Sequence, residues 1–394
     1  MEIETDVLII GAGPSGSIAA RTIAKEGIDV WIIDKKSEIG TPKRCAEGIV
    51  KSTLDELDIK VDERWISRDI RGLHIVSSDN HEVIFDENKF NLPDTAYVLE
   101  RKVFDKHLVM DAIRYGAKVS LKTHAYDLKR TSDGFIVYAK QWDKDVKIHA
   151  HIVIAADGTE STIGKMAGLN TKTQFNNMAS CIQYEMVNVK LEYMNHVHIY
   201  IGKVAPGGYV WIFPKGDDIA NVGLGVLKTH ATENAKYYLD NFIKNNSSLK
   251  KAQIVEVNVG GDPVGGLVEE RVSDNILVVG DAAGYVDPLT GDGIRTAMLS
   301  GKYAGIVASK AIKSKDYSSQ ILSEYYDITD EKIGKEFSKF NKIKEFLLTL
   351  DDDSLNKIVS EISKTDMKNA DLKTLFKIII KSSPKSLLKL GKLF

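Results

Sequence analysis

The sequence predicts an α/β (α+β) fold: a parallel-sheet domain interleaved with an antiparallel-sheet domain, followed by a helical C-terminal region. Three observations carry that expectation. Short runs of strand formers end in glycine–acid signatures at three distant places: Gly11-Ala-Gly13-Pro-Ser-Gly16 with Asp34 beyond it, Asp157-Gly158, and Gly280-Asp281. Candidate antiparallel strands fill the stretch from about Ser180 to Gly260, between the second signature and the third. Beyond Tyr325 the apolar residues Ile333, Phe337, Phe340, Phe346, Leu347 and Leu350 follow helical spacing. The expected first domain is therefore discontinuous, over residues 1–175 and 265–325. The second covers 176–264 with parts of 60–100, and the helical region covers 326–394.

Asp6-Val-Leu-Ile-Ile10 reads as a parallel strand covered on both faces. Gly11 permits the tight turn after it, Gly13 lets the backbone approach a pyrophosphate, and Gly16 lets the next helix pack on the strand. That helix is expected over Ile18 to Lys25, with its positive end toward the phosphates. A second strand, Val30–Ile33, ends at Asp34, whose carboxylate can accept from ribose hydroxyls. Strand, turn, helix, strand and acid arrive in the order a dinucleotide site requires.

From there to about residue 96 the chain reads as irregular and polar. A helix is expected near Val103 to Arg114, then strands at Lys118–Asp127 and Phe135–Lys140, and a buried strand Ile152–Ala156. The last strand of this domain, Ile276–Val279, carries Gly280-Asp281 at its carboxyl end, where ligands collect in open α/β sheets; Asp281 there can bind a ribityl hydroxyl. Gly291-Asp-Gly293-Ile294 then opens a helix running through Ala304, with N–H groups suited to a developing negative charge. A nicotinamide dinucleotide needs only the first signature. A ligand touched by all three is longer, and FAD fits, so the first domain is expected to be a Rossmann-like FAD-binding domain.

In the second domain the expected strands are Cys181–Met186, His196–Tyr200, Val210–Phe213 and Asn221–Val226. Tyr209, Trp211 and Phe213 recur at period two and so project from one face. They form either the wall of a long apolar pocket or ordinary sheet core. His196 and His198 lack a third ligand nearby and read as sheet-surface histidines, so no metal site is expected. Cys45 has Lys43 and Arg44 beside it, which would lower its pKa if their charges pointed inward; the other reading is a small packed side chain. No side chain is assigned a catalytic role.

Toward the C-terminus, Asp351-Asp-Asp353 breaks the helical pattern and Ser354 is expected to start another helix. Lys373, Lys377, Lys381, Lys385 and Lys389 then recur every fourth residue among apolar neighbours, with Pro384 interrupting any continuous helix. This is a basic amphipathic pair suited to an anionic lipid surface, or a solvated lysine face on packed helices.

Bulk properties narrow the classes. The chain has 394 residues, 43% hydrophobic and 27% charged, with a formal net charge of −2, which argues against nucleic-acid binding by bulk charge. No uncharged apolar run reaches the roughly 18 residues of a spanning helix. The first strand begins within about six residues, leaving no room for a signal peptide. Two cysteines are not a disulfide scaffold, so a cytoplasmic location is expected, with peripheral contact at the inner membrane surface.

The three signatures resemble those of the aromatic-hydroxylase-type FAD enzymes. Within that group, Lys43-Arg-Cys-Ala-Glu-Gly48, Pro206-Gly-Gly-Tyr209-Val-Trp211-Ile-Phe213-Pro214 and Pro288-Leu-Thr-Gly291-Asp-Gly293 resemble the geranylgeranyl reductase family, nearest to its archaeal digeranylgeranylglycerophospholipid reductases. The likeness spans roughly residues 1–350. It implies an FAD-dependent reductase that saturates isolated double bonds in geranylgeranyl chains of archaeal ether-linked phospholipids. It implies Ser15 in the pyrophosphate turn, Asp34 on the adenosine ribose, and Cys45, Ala46 and Gly48 at the isoalloxazine ring. Arg101 would hold the phosphate or ribityl region and Ala125 the adenine, while Asp281, Gly293 and Ile294 close the flavin end. Tyr209, Trp211 and Phe213 become a substrate wall. Asp34 stands where a longer Glu is common, which weakens the expected ribose contact. The electron donor stays open between NAD(P)H and ferredoxin. The rival readings are an FAD monooxygenase acting on an aromatic or polyprenyl substrate, and a non-catalytic lipid carrier.

Overall fold

The apolar runs that precede the glycine–acid signatures become neighbouring parallel strands. The structure, a computed structural model, describes residues 2–86, 95–365 and Ile378. It divides into two units, each assembled from three stretches of chain. The first unit comprises Met1–Lys43, Arg101–Gln174 and Pro263–Asn341. Strands Val30–Ile33, Glu2–Ile10, Lys144–Ala155 and Ile276–Val278 lie side by side in that order, all parallel. Lys118–Ser120 extends one edge in parallel, and Val272–Ser273 closes the other in antiparallel.

Val7, Leu8, Ile9, Ile152, Val153 and Ile154 are fully buried, as a parallel strand covered on both faces requires. Each such side chain contributes about 1.5–3 kcal/mol of burial. Helix Pro14–Lys25 packs closely against helix Ile294–Ser314. Two glycines one turn apart allow it: a Cβ at Gly301 would meet the Ser15 carbonyl oxygen at 2.1 Å, and one at Gly305 would meet the Ala19 carbonyl oxygen at 3.0 Å. The first half of Lys144–Ala155 pairs antiparallel with Phe135–Gln141, which pairs in turn with Thr123–Arg130.

The second unit comprises Arg44–Glu100, Phe175–Asp262 and Lys342–Phe394. Its larger sheet has the order Gln253–Pro263, Met178–Val187, Ile219–Leu227, Tyr209–Pro214, His196–Ile201, Gly72–Val76, Glu82–Asp86. One face is core: Val210, Ile212, Val222 and Leu224 are fully buried and pack with Leu239 and Phe242 of helix Ala235–Asn245. Asn234 caps that helix by accepting the Tyr237 N–H at 3.0 Å.

Several expectations are corrected. The described residues between 48 and 99 are not irregular: Gly48–Val50, Ala96–Leu99 and Ile66–Ile70 form a small sheet, and Gly72–Val76 and Glu82–Asp86 join the larger one. These strands are short, and Ile66–Ile70 carries Ser67, Arg68 and Asp69 at partly buried or exposed positions, which hides the apolar signal. Residues 44–59, read with the first domain, belong to the second unit, and residues 326–341, read with the C-terminal helices, belong to the first.

His196 and His198 are buried rather than on the surface, because their strand is interior, paired with Tyr209–Pro214 on one side and Gly72–Val76 on the other. Register sets His198 opposite His74, with their Nδ1 atoms 2.9 Å apart, while His198 Nε2 reaches the Tyr193 carbonyl at 2.9 Å. The last described helix starts at Asp352, earlier than expected, because the Asp351 carboxylate accepts the Ser354 N–H at 2.9 Å. The lysines of the tail and Pro384 lie outside the described residues. Among the described residues no helix is long and apolar enough to cross a membrane.

Candidate functional site

In the first unit, four adjacent parallel strands deliver Gly11, Asp34, Asp157 and Gly280 at their carboxyl ends. The three signatures touch one another there. A Cβ at Gly11, which has φ +115°, would meet the Ala156 carbonyl oxygen at 2.1 Å, and one at Gly280 would meet Ser15 Oγ at 2.7 Å. Thr159 donates to Asp281 at 3.4 Å, joining the second signature to the third. Gly16 is equally constrained, since its Cβ would meet the Gly11 carbonyl oxygen at 2.0 Å.

Gly13 is different. Its φ is −76° and nothing lies within 4 Å of where its Cβ would stand, so the protein's own packing gives no reason for a glycine. Open space over an uncapped helix N-terminus is what a pyrophosphate needs. Asp34 is buried and already accepts the Ala12 N–H at 2.9 Å and the Lys36 N–H at 2.8 Å. A carboxylate has about four lone-pair sites, so it can hold the glycine loop and still accept from a ribose.

Asp157 has a structural task within its own segment. Its Oδ2 accepts the Thr162 and Ile163 N–H groups at 2.5 and 2.9 Å and so holds the start of helix Thr162–Met166. Its Oδ1 is buried with no protein partner. Asp281 is half-buried; desolvation pushes its carboxyl above the usual range, with the Arg101 charge opposing. Arg101 is fixed by Asp105, which takes Nε at 2.7 Å and Nη2 at 2.9 Å. A Cβ at Gly293 would lie 3.5 Å from Asp281 Oδ1, and Ile294 is buried at the first turn of the uncapped helix Ile294–Ser314. Just before Gly293 in the chain, burial pushes Asp292 up to about 6. Ala125 is buried opposite a register shift, on a strand that pairs with Phe135–Gln141 alone.

The second unit gathers the remaining predicted residues on one sheet face. Val210 and Ile212 point into the core, whereas Tyr209, Trp211 and Phe213 stand half-buried on the opposite face. The rings therefore lie off the fully buried face of the sheet. The indole of Trp211 lies against Gly223, its cross-strand neighbour, where a Cβ would come within 2.5 Å of the ring.

The segment Cys45–Gly48 is laid on this same face by side chains that motif reading missed. Gln183 donates to the Cys45 carbonyl at 2.9 Å and accepts from Trp211 Nε1 at 2.8 Å. Asn221 donates to the Ala46 carbonyl at 3.2 Å and to the Glu47 carboxylate at 2.7 Å. A Cβ on Gly48 would meet the Phe213 ring at 2.6 Å. Lys215, directly after the aromatic strand, is buried against Glu47, Glu100 and Glu185 at 2.9, 2.8 and 3.1 Å. Burial works against its charge, but the three carboxylates outweigh that and hold its pKa above the usual lysine range. A signal was available: Gln183 and Glu185 alternate with the buried Ile182, Tyr184 and Met186, which puts polar groups on the face the rings occupy.

Comparison with known proteins follows this geometry. Residues 177–261 match the geranylgeranyl reductase catalytic domain, and residues 9–46 match an NAD(P)-binding Rossmann-like domain. The chain is 57% identical to digeranylgeranylglycerophospholipid reductase 2 of Methanosphaera stadtmanae, over 100% of both chains. It is 48% identical to digeranylgeranylglycerophospholipid reductase 1 of Methanothermobacter thermautotrophicus, over 100% of this chain and 99% of that one. A crystal structure of a geranylgeranyl bacteriochlorophyll reductase-like protein from Thermoplasma acidophilum matches with a TM-score of 0.93 and 36% identity, covering 100% of both chains.

Proposed function

The chain belongs to the digeranylgeranylglycerophospholipid reductase family, and from that premise we propose how its own residues serve the reaction. It is an FAD-dependent reductase that saturates isolated double bonds of geranylgeranyl chains in ether-linked phospholipids. The observation that carries this reading is the meeting of three glycine–acid signatures at adjacent parallel strand ends. The reductase names of the relatives do not favour the alternative of a monooxygenase.

Gly11, Gly13, Ser15 and Gly16 hold the pyrophosphate, Asp34 the adenosine ribose and Ala125 the adenine. Arg101, Asp281, Gly293 and Ile294 hold the ribityl chain and flavin end, and Cys45, Ala46 and Gly48 border the ring. Bound FAD, once reduced, supplies the hydride. An isolated alkene is not polarised, so the protein must supply orientation and exclude water. Tyr209, Trp211 and Phe213 offer a prenyl chain an apolar wall and present ring faces to positive charge developing on a substituted carbon. The lipid substrate brings the enzyme to the membrane surface peripherally, and NAD(P)H or a ferredoxin supplies the electrons.

The test is chemical. Enzyme reduced with dithionite is incubated with a digeranylgeranyl glycerophospholipid without oxygen, and the lipid is weighed by mass spectrometry. Added hydrogens are expected; an absolute oxygen requirement would overturn the assignment.

A further inference from the structure

Cys45 Sγ accepts the backbone N–H of Glu47 at 3.1 Å. Glu47 itself is left-handed, with φ +76°, a conformation uncommon for a residue with a side chain, and its place is set by its surroundings. The surroundings are explicit. The Glu47 side chain is completely buried, and its Oε2 is held by Lys215 Nζ at 2.9 Å and Asn221 Nδ2 at 2.7 Å. The Glu47 carbonyl accepts the Leu99 N–H at 2.8 Å. Lys215 is anchored by Glu100 and Glu185, from two further segments of the unit.

We propose that Glu47 and Lys215 are positioning residues: their buried ion pair anchors Glu47 in place so that its amide stays aimed at the Cys45 sulfur and favours the thiolate. An N–H aimed at a sulfur stabilises the ionised form, because the bond is stronger to charge. The side-chain pair and the thiol are thus coupled through one backbone amide. Charged groups near the thiol include Lys43 and Arg44 just before it in the chain and Glu47 just after, with Lys215, Glu100 and Glu185 joined to Glu47. The proposal does not depend on the flavin assignment, and its test needs no turnover.

The experiment is the pH profile of Cys45 alkylation by iodoacetamide in the full chain, read by peptide mass spectrometry. Cys181 is the internal control, because burial raises its thiol pKa far above the ordinary range, with Asp262 adding to the shift. Lys215→Met and Glu47→Ala change the local charge in opposite directions. A positioning role raises the midpoint in both, by about one unit, or roughly tenfold slower alkylation at neutral pH. A purely electrostatic role raises it in Lys215→Met and lowers it in Glu47→Ala. Lys215→Arg keeps the charge and is expected to return the wild-type midpoint. Opposite shifts, or no shift with Cys181 still protected, overturn the proposal. If Lys215→Met unfolds the unit and exposes Cys181, Glu47→Gln decides: a raised midpoint supports positioning, and a lowered or unchanged one refutes it.

Discussion

In the first unit the groups proposed to hold a ligand are backbone amides, glycine gaps and carboxylates at the ends of parallel strands. In the second they are side chains, and the segment laid on them, on the half-buried face of an antiparallel sheet. The first arrangement is local: each strand end brings its own turn, and the turn's sequence is contiguous. The second is assembled across strands, so that Cys45, Gln183, Trp211 and Asn221 meet only through register. Backbone sites should therefore fail abruptly on adding one carbon, and side-chain sites should fail by degrees.

The sharpest break is expected at Gly16. Gly16→Val drives a side chain into the Gly11 carbonyl, and the purified protein should be colourless after FAD is supplied. Its partner experiment is Gly13→Ala, which meets nothing within 4 Å. Apoprotein Tm should be unchanged while FAD affinity, measured by fluorescence titration, falls at least about tenfold, or ~1.4 kcal/mol. Equal loss of stability in both variants would end the distinction.

Next in size is the core of the second unit. Ile212→Ala removes a fully buried side chain and should cost about 2–5 kcal/mol in denaturant unfolding. Trp211→Phe, one position away on the other face, should cost about 1 kcal/mol through the lost bond to Gln183. Its larger effect should be a raised KM for lipid.

The two units should also answer acid in opposite senses. Asp292, in the first, has its folded pKa raised from 3.8 to about 6. The folded state therefore binds the proton more tightly, so this contribution is complete below 3.8 and is lost as pH rises toward 6. Asp292→Asn should stabilise the protein at neutral pH by on the order of 1–3 kcal/mol and change little near pH 4. His198, in the second, has its pKa lowered from 6.5 to about 4 by burial, so stability is complete above 6.5 and is lost as pH falls toward 4. Urea unfolding across this range, with each variant, separates the two slopes. Identical profiles for Asp292→Asn and wild type would contradict the first.

The same contrast explains what could be read from the chain. Gly11, Gly16, Asp34 and Asp281 announce themselves because turns and strand ends are coded within a few residues, and the strands around them were found in place. Ile66–Ile70 and Gly72–Val76 were not, since five residues are too few for a period to stand out, and three polar residues fall in the first of them. Asp157 was legible as a motif but not in its role, which is to hold helical N–H groups. Glu47 and Lys215 lay inside or beside recognised motifs, yet their pairing spans 168 positions, and no periodicity reports such a meeting.

Gly223 leaves the floor beneath Trp211 bare. With no methyl there, the indole can lie down on the neighbouring strand; a single added carbon would have to tip it away from the sheet. The relief of this sheet face is thus governed less by the ring itself than by one absent atom underneath it.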